Sequence, residues 1–348
     1  MLEISSWEPR HNASLFHFSL LIGLVVLLLG LPIAIVVSAR DLEIGSDTLS
    51  YYFFFQQVEL CGCVPDGGEP LFGYLARIVS AGGGTYVAFF GAISLLQFAG
   101  AAMVGNALSR ILGYSQATGF VLWFLALLVA FPMFSWIQLN VLRQGISFPF
   151  VVLAAIALYE RRWKVWLTCA LIAIGFHYSS VLYLLSASIL LISSKKRALI
   201  FWGLVIAYVV GASELVVQTI SDISGVPLYT FVSDYGASAD YQGGIRFDFL
   251  LFSLTPLVLV AASRIGDNGS SLYRARLDLV WAIYAVHLVP FLLLGWAAFS
   301  DRYALTAWLL FPTFLVPILL RFVHRGMSWI YGLVLVFAFL IFIGRFGV

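Results

Sequence analysis

Apolar stretches long enough to cross the roughly 30 Å hydrocarbon core of a bilayer recur from one end of this chain to the other. We read them as 15–39, 84–106, 115–134, 140–159, 165–177, 180–194, 198–218, 246–263, 279–298, 303–321 and 327–345. In lipid the backbone must satisfy its own polar groups, so such stretches fold as helices. The expected class is an all-α polytopic membrane protein with about eleven transmembrane or part-spanning helices. Only 10% of the residues are charged, against roughly a quarter in soluble domains. No polar stretch is long enough to bury a core of its own, so residues 1–348 are expected to form a single integral membrane domain. Leu15–Ala39 is too long for a signal-peptide core, lacks a small-residue cleavage site, and reads as the first span. Cys61 and Cys63 are too close in sequence for an ordinary structural disulfide, and Cys169 lies in an apolar run. No metal-ligand spacing is present. Neither a metal, a cofactor nor a nucleic-acid partner is expected.

Orientation follows from where positive charge gathers. Arg161-Arg162-Trp163-Lys164, Lys195-Lys196-Arg197, Arg264 with Arg274 and Arg276, and Arg321 with Arg325 mark the cytoplasmic side. Arg10 and Arg110 then fall there too, giving thirteen of the nineteen cations. The other six are Arg40, Arg77, Arg143, Arg246, Arg302 and Arg345, on the side where positive charge is not expected. Two long external segments follow from this arrangement, 40–83 and 220–245. The first contains two pieces apolar enough to lie in the interface, Asp47–Leu60 and Glu69–Val79.

One stretch tests the arrangement. Arg161–Lys164 and Lys195–Arg197 both belong in the cytoplasm, so the chain between them must enter and return. Two helices of about 14 residues reach only about 21 Å at 1.5 Å per residue. The tip, Phe176-His177-Tyr178-Ser179-Ser180, then stops short of the far surface and holds His177 inside the protein. Helix breaks at such depth are tolerated where they line a cavity or pack on protein.

The external cations have an acidic company: Asp41, Glu43, Asp47, Glu59, Asp66, Glu69, Asp222, Asp234, Asp240, Asp248 and Asp301. Arg40-Asp41, Arg246 with Asp248, and Asp301-Arg302 are neighbours that could simply tie helix ends together. Arg143 is harder to place that way. It lies one turn into an apolar helix, within Asn140-Val141-Leu142-Arg143-Gln144-Gly145, where a charge needs a polar cavity or partner. Its planar fork of donors suits a phosphate-like anion. Asp47 and Glu69 are the external candidates for a general base, and each also fits a helix N-cap. His177 reads either as a satisfied core residue or as a group that orients a hydroxyl or assists a leaving group.

In order and spacing, these pieces resemble the EpsG/Wzy-like polysaccharide polymerases. The residues that carry the resemblance are Arg40, then Gly45-Ser46-Asp47 with Tyr51 and Phe55, Glu69-Pro70-Leu71-Phe72, Leu142-Arg143-Gln144-Gly145, Phe176-His177-Tyr178-Ser179-Ser180, Gly244-Ile245-Arg246-Phe247-Asp248 and Asp301-Arg302-Tyr303. The resemblance implies a GT-C-like membrane glycosyltransferase at the external face of a bacterial inner membrane. It would transfer a growing glycan from undecaprenyl diphosphate to the non-reducing end of a new lipid-linked repeat unit. Donor and acceptor would both be undecaprenyl-diphosphate-linked oligosaccharides, and a chain-length-regulating co-polymerase is a further possible partner. Arg143, Arg246, Arg302 and Arg40 would bind the diphosphate, with Gln144, Tyr51, Asp248 and Tyr303 beside the substrate. Asp47, Glu69 and His177 would be the catalytic groups, without a metal. A lipid-linked oligosaccharide flippase or a glycan ligase would use the same anion site.

Overall fold

The computed structural model describes residues 23, 26–65, 68–114, 117–234, 243–264 and 271–322, with parts of 337–344. Most of the expected last span 327–345 lies outside the described residues, as do Arg10, Arg325, Arg345, Asp66, Asp240 and the N-terminal part of the first span. Among the described residues the chain is helical throughout, with no strand.

A short helix, α1 (Leu31–Ser38), completes the first apolar stretch behind a π turn at Val26–Gly30. The two amphipathic pieces follow as α2 (Thr48–Cys61) and α3 (Pro70–Ala81). Each starts within a residue of where the sequence puts it. Cys61 and Cys63 form a disulfide across the turn that ends α2, which corrects the expectation that they stay apart. Gly62 between them takes a left-handed conformation, φ +59°, and so lets the chain double back within two residues.

The long helix α4 (Tyr86–Leu112) runs into α5 (Ala117–Ala130) and α6 (Pro132–Leu139), and then α7 (Leu142–Tyr159). Here 115–134 proves not to be one straight span. The chain bends by 71° between α5 and α6, where Pro132 can begin a helix but cannot continue the one before it. Next comes the expected hairpin, α8 (Trp163–Phe176) and α9 (Ser180–Ala187), the latter extended by a 3-10 turn to Leu191. A second correction falls on 198–218. α10 (Ser194–Val209) stops, Gly211 takes φ +75°, and α11 (Ala212–Ser224) leaves at 106°. The short helix α12 (Leu228–Asp234) then occupies the expected external segment. The described chain closes with α13 (Phe247–Arg264), α14 (Ser271–Leu294), α15 (Ser300–Trp308) and α16 (Pro312–Phe322).

Among the described residues four helices are long and apolar enough to cross a membrane: α4, α7, α14 and the α15–α16 rod over Ser300–Leu320. Each of the two bent pairs adds one more if it counts as a span, giving up to six, and α8, α9 and α13 are shorter apolar helices. Chain direction sorts the charges between the two ends of these helices. α7 runs from Arg143 to the Arg161-Arg162 corner, α8 returns to His177, and α9 leads back toward Lys195–Arg197. α14 begins beside Arg274 and Arg276, and its far end turns into Arg302 on α15. Arg143, His177 and Arg302 therefore share the end opposite the basic clusters.

Two packed regions hold that end in place. Phe55, Phe72, Phe89, Phe90, Leu142 and Ile146 form a buried cluster that fastens α2 and α3 against α4 and α7. Beneath it, close approach depends on small residues: a Cβ on Gly100 would stand 2.4 Å from Pro149 Cγ, and one on Gly145 would stand 2.5 Å from Gln97 Nε2. Gln97 is buried, and its Nε2 donates at 3.1 Å both to the Ile137 carbonyl and to the Leu142 carbonyl. It thus supplies a donor to the Ile137 carbonyl, which the break after α6 leaves open, and ties it to the first turn of α7. Gln97→Leu is expected to strand the Ile137 carbonyl in an apolar interior, destabilising the fold by about 1–3 kcal/mol. The check is a thermal melt of the purified variant in detergent, which should fall by several degrees.

Candidate functional site

The site grows from helix ends. Ile44-Gly45-Ser46-Asp47 turns into α2 with Gly45 at φ +93°, where a Cβ would meet Asn140 Oδ1 at 2.7 Å. This close approach sets the start of α2 against the α6–α7 corner. Tyr51, one turn on, is buried and donates from its hydroxyl to the Asn140 carbonyl at 3.3 Å. Asp47 occupies the N-cap position of α2 without capping it. Its Oδ2 instead accepts from Arg302 Nη2 at 3.1 Å, 255 residues away, and its Oδ1 accepts from the Ser46 hydroxyl at 2.9 Å.

Glu69 repeats the pattern. It stands at the N-cap of α3 in extended conformation, held there by Pro70 at the first helical position, and it too makes no cap bond. Its carboxylate is 8% exposed and bridges two partners. Oε2 accepts from Arg143 Nη1 at 2.5 Å, and Oε1 lies 3.3 Å from His177 Nδ1. Burial pushes the Glu69 carboxyl upward, but the His177 hydrogen bond and the Arg143 charge outweigh it and hold the group down at about 2. The same guanidinium lies 5.8 Å over the Tyr51 ring. Burial drives the Tyr51 phenol upward despite that charge, so it stays neutral and serves as a donor.

His177 ends α8 in extended conformation, at the tip of the hairpin, with its side chain 22% exposed. The tip is tied to the loop before α3 by the Tyr178 hydroxyl, which donates to the Gly68 carbonyl at 3.0 Å. Across the site, Gln144 is buried and donates from Nε2 to the Arg302 carbonyl at 2.7 Å and to the Tyr183 hydroxyl at 3.1 Å. The Tyr183 hydroxyl in turn faces the carbonyls of Arg302 and Tyr303 at 3.0 and 3.1 Å. This network clamps the first turn of α15 to α7 and α9. Phe299, just before α15, sits in the left-handed region at φ +56°, costly for a bulky side chain. The Arg302 guanidinium lies 4.6 Å over its ring, so the strained turn and the arginine are set together.

These side chains wall two adjoining chambers. The smaller, about 440 Å³, lies between α2 and α3, with Ser50, Phe54, Phe72 and Glu69 among its walls. The larger, about 690 Å³, reaches from Gln144, His177, Arg302 and Tyr303 toward α9 and α12. Asp47, Tyr51 and Arg143 belong to both.

Eight of the eleven residues singled out in the sequence therefore meet: Asp47, Tyr51, Glu69, Arg143, Gln144, His177, Arg302 and Tyr303. Three do not. Arg40 lines neither chamber: it is 4% exposed, donates from Nη1 to the Val37 carbonyl at 2.9 Å, and lies 4.3 Å over the Phe90 ring. Its sequence neighbour Asp41 makes no ion pair with it and instead accepts from the Glu43 N–H at 3.1 Å. Arg246 and Asp248 bind each other through two contacts, 2.9 and 2.6 Å, with the guanidinium 3.8 Å over Phe249. The structural reading of that pair holds, and it too stands outside both chambers. Arg77 is an exposed charge on α3. The sequence reading missed Tyr183, whose signal is only a phenol inside an apolar run, and the buried His287 that stacks on it at 6.4 Å.

No curated protein and no solved structure matches the chain. Residues 24–346 match the EpsG family, and over nearly its whole length the chain therefore belongs to that family.

Proposed function

We propose that this protein polymerises lipid-linked saccharide units, joining one to the next by a GT-C-type transfer in the shared site. Membership of the EpsG family supports a polysaccharide-polymerase role. The observation that carries the mechanism is the Glu69 carboxylate, bound to Arg143 and His177 at once. The basic clusters at the opposite helix ends support a site on the outer side of a bacterial inner membrane.

The leaving group is a lipid diphosphate, undecaprenyl diphosphate in this reading. Charge grows on its oxygens as the anomeric bond breaks, and preorganised donors there lower the barrier most. Glu69 engages only Nη1 of Arg143, whose side chain is 42% exposed, so donors of the fork remain for phosphate oxygens. Arg302, which lines the larger chamber, is the second cation proposed for the diphosphate. The carboxylate of Glu69 accepts only, so His177 donates Nδ1–H to it and keeps its lone pair on Nε2. Nε2 then takes the proton from the attacking sugar hydroxyl. The hydroxyl oxygen bonds to the anomeric carbon, and the electron pair of the broken bond leaves on the diphosphate. Glu69 itself, held near 2, is too weak a base for this task and acts by orienting the imidazole. Asp47 holds Arg302 in the same way that Glu69 holds Arg143. With two arginines on the diphosphate, the proposed transfer is metal-independent. A flippase would bind the same head group, but coupled His177 and Glu69 favour bond chemistry over passage.

Purified protein given undecaprenyl-diphosphate-linked repeat units should yield a ladder of longer products. Arg143→Ala is expected to lower that turnover by about 10²–10³-fold, and His177→Ala by about 10²–10⁴-fold. Product ladders from both variants decide this: full activity of Arg143→Ala sinks the diphosphate role, and full activity of His177→Ala sinks the base. The ladder should persist in EDTA; a loss restored by a divalent cation overturns metal independence. Because the folded Glu69 carboxyl is depressed from its usual 4.5 to about 2, its ion pair stabilises the fold fully above 4.5 and is lost as pH falls toward 2. The difference in melting temperature between the wild type and Glu69→Gln should therefore be constant above pH 4.5 and shrink below it, as read by parallel melts.

A further inference from the structure

The two chambers differ in kind. In the smaller one Phe54 is the half-buried ring of the lining, with the buried Phe72 packed 5.5 Å from it and 5.7 Å from Tyr51. Carboxylates and hydroxyls rim it: Asp47, Glu69 and Ser50. Flat aromatic faces beside hydrogen-bond acceptors are the chemistry that holds a sugar ring, whose C–H faces pack on rings while its hydroxyls donate to carboxylates.

The larger chamber is polar at one end only. At the other, its walls are Val181 and Leu182 of α9, Leu228 and Phe231 of α12, and Leu294 of α14. Leu182 packs with Leu228 and Leu294, whereas Val181 is 39% exposed and Phe231 68% exposed. The chamber therefore reaches the molecular surface between α9 and α12, where Val181 and Phe231 form an apolar lip, with Tyr178 and Ser179 of the hairpin tip also exposed in its lining. Below the mouth, one turn further along α9, Leu185 is 65% exposed and extends the same apolar track. Two arginines stand at the inner end of this passage. A cationic head site continuous with an apolar track into the bilayer matches one kind of occupant, a long hydrocarbon chain bearing an anionic head.

On the polymerase reading above, the reacting centre receives one lipid and one saccharide. The donor is cleaved at its diphosphate, so its lipid must lie there. The acceptor attacks with the sugar end remote from its own lipid. We propose that the larger chamber holds the donor's polyprenyl diphosphate, with its hydrocarbon leaving between α9 and α12, and that the smaller chamber holds the acceptor's terminal sugars. Arg143, Asp47 and Tyr51, common to both chambers, then mark the plane across which the glycan is passed.

The full-length protein in nanodiscs, carrying the photo-reactive amino acid benzoylphenylalanine at Phe231, Leu185 or Phe54, is irradiated with undecaprenyl diphosphate and read by mass spectrometry. Adducts are expected at positions 231 and 185 that excess inorganic diphosphate, competing for the head site, suppresses, and none at 54. Phe231→Ser should weaken binding of undecaprenyl diphosphate about tenfold, since part of a buried phenyl contact is lost. Its binding of inorganic diphosphate should be unchanged, which also reports that the variant is folded. Capture at Phe54, or a Phe231→Ser variant that binds the lipid as the wild type does, overturns the division of the chambers and leaves the polymerase reading standing. A wild type that does not bind undecaprenyl diphosphate at all overturns both.

Discussion

The site is organised around one buried carboxylate. Glu69 is 8% exposed and would be costly to ionise alone. Arg143 and His177, from two other parts of the chain, make ionisation favourable. Arg143 cannot be withdrawn without leaving the Glu69 charge uncompensated in a poorly solvated place, and His177 cannot be withdrawn without costing Oε1 a donor. The position of Glu69 depends in turn on elements with no chemistry of their own. Pro70 starts α3 directly after it, and Phe72 is locked among Phe55, Phe89 and the start of α7. The aromatic cluster is thus what fixes an acid, an arginine and a histidine within hydrogen-bond reach of one another.

Asp47 and Arg302 form a second pair on the other side of Arg143. Two guanidiniums at one site would repel each other. An acid beside each lets both stay at the cavity wall, and Glu69 engages Arg143 through Nη1 alone. Held in this way, the cations need little rearrangement as negative charge develops on a leaving group. The strained Phe299 turn and the Gln144–Tyr183 network serve the same end, since they fix the first turn of α15 from behind while its arginine faces the chamber.

Periodicity and charge made much of this legible. The two amphipathic helices begin within a residue of their expected starts, because each is announced by an acid, a turn glycine and an apolar face. The short hairpin followed from basic clusters at both of its ends, and His177 falls at its tip as expected. What sequence could not supply was pairing. It offered neighbours, Arg40 with Asp41 and Arg302 with Asp301, while the ion pairs that build the cavity join residues 74 and 255 positions apart. Local spacing also gave Asp47 and Glu69 a fitting role as N-caps. Their positions are N-caps, but tertiary cations outcompete the helix amides for both carboxylates. The bends at Pro132 and Gly211 were hidden because hydropathy averages over a break that costs only one or two residues. The Cys61–Cys63 bond was hidden because its possibility rests on the conformation of the glycine between them.

Arg40 sharpens what distinguishes a substrate cation from a structural one. Sidedness alone put it with Arg143 and Arg302. In the fold it is 4% exposed, beneath the chambers, against 42% for the side chain of Arg143. Its charge is met by the Val37 carbonyl and the face of Phe90, while Nε and Nη2 make no hydrogen bond among the described residues. Such a cation cannot reach a ligand, yet among the described residues no carboxylate forms an ion pair with it. On the proposed function, its buried positive charge adds at longer range to those of Arg143 and Arg302 without competing for the contacts of an anion.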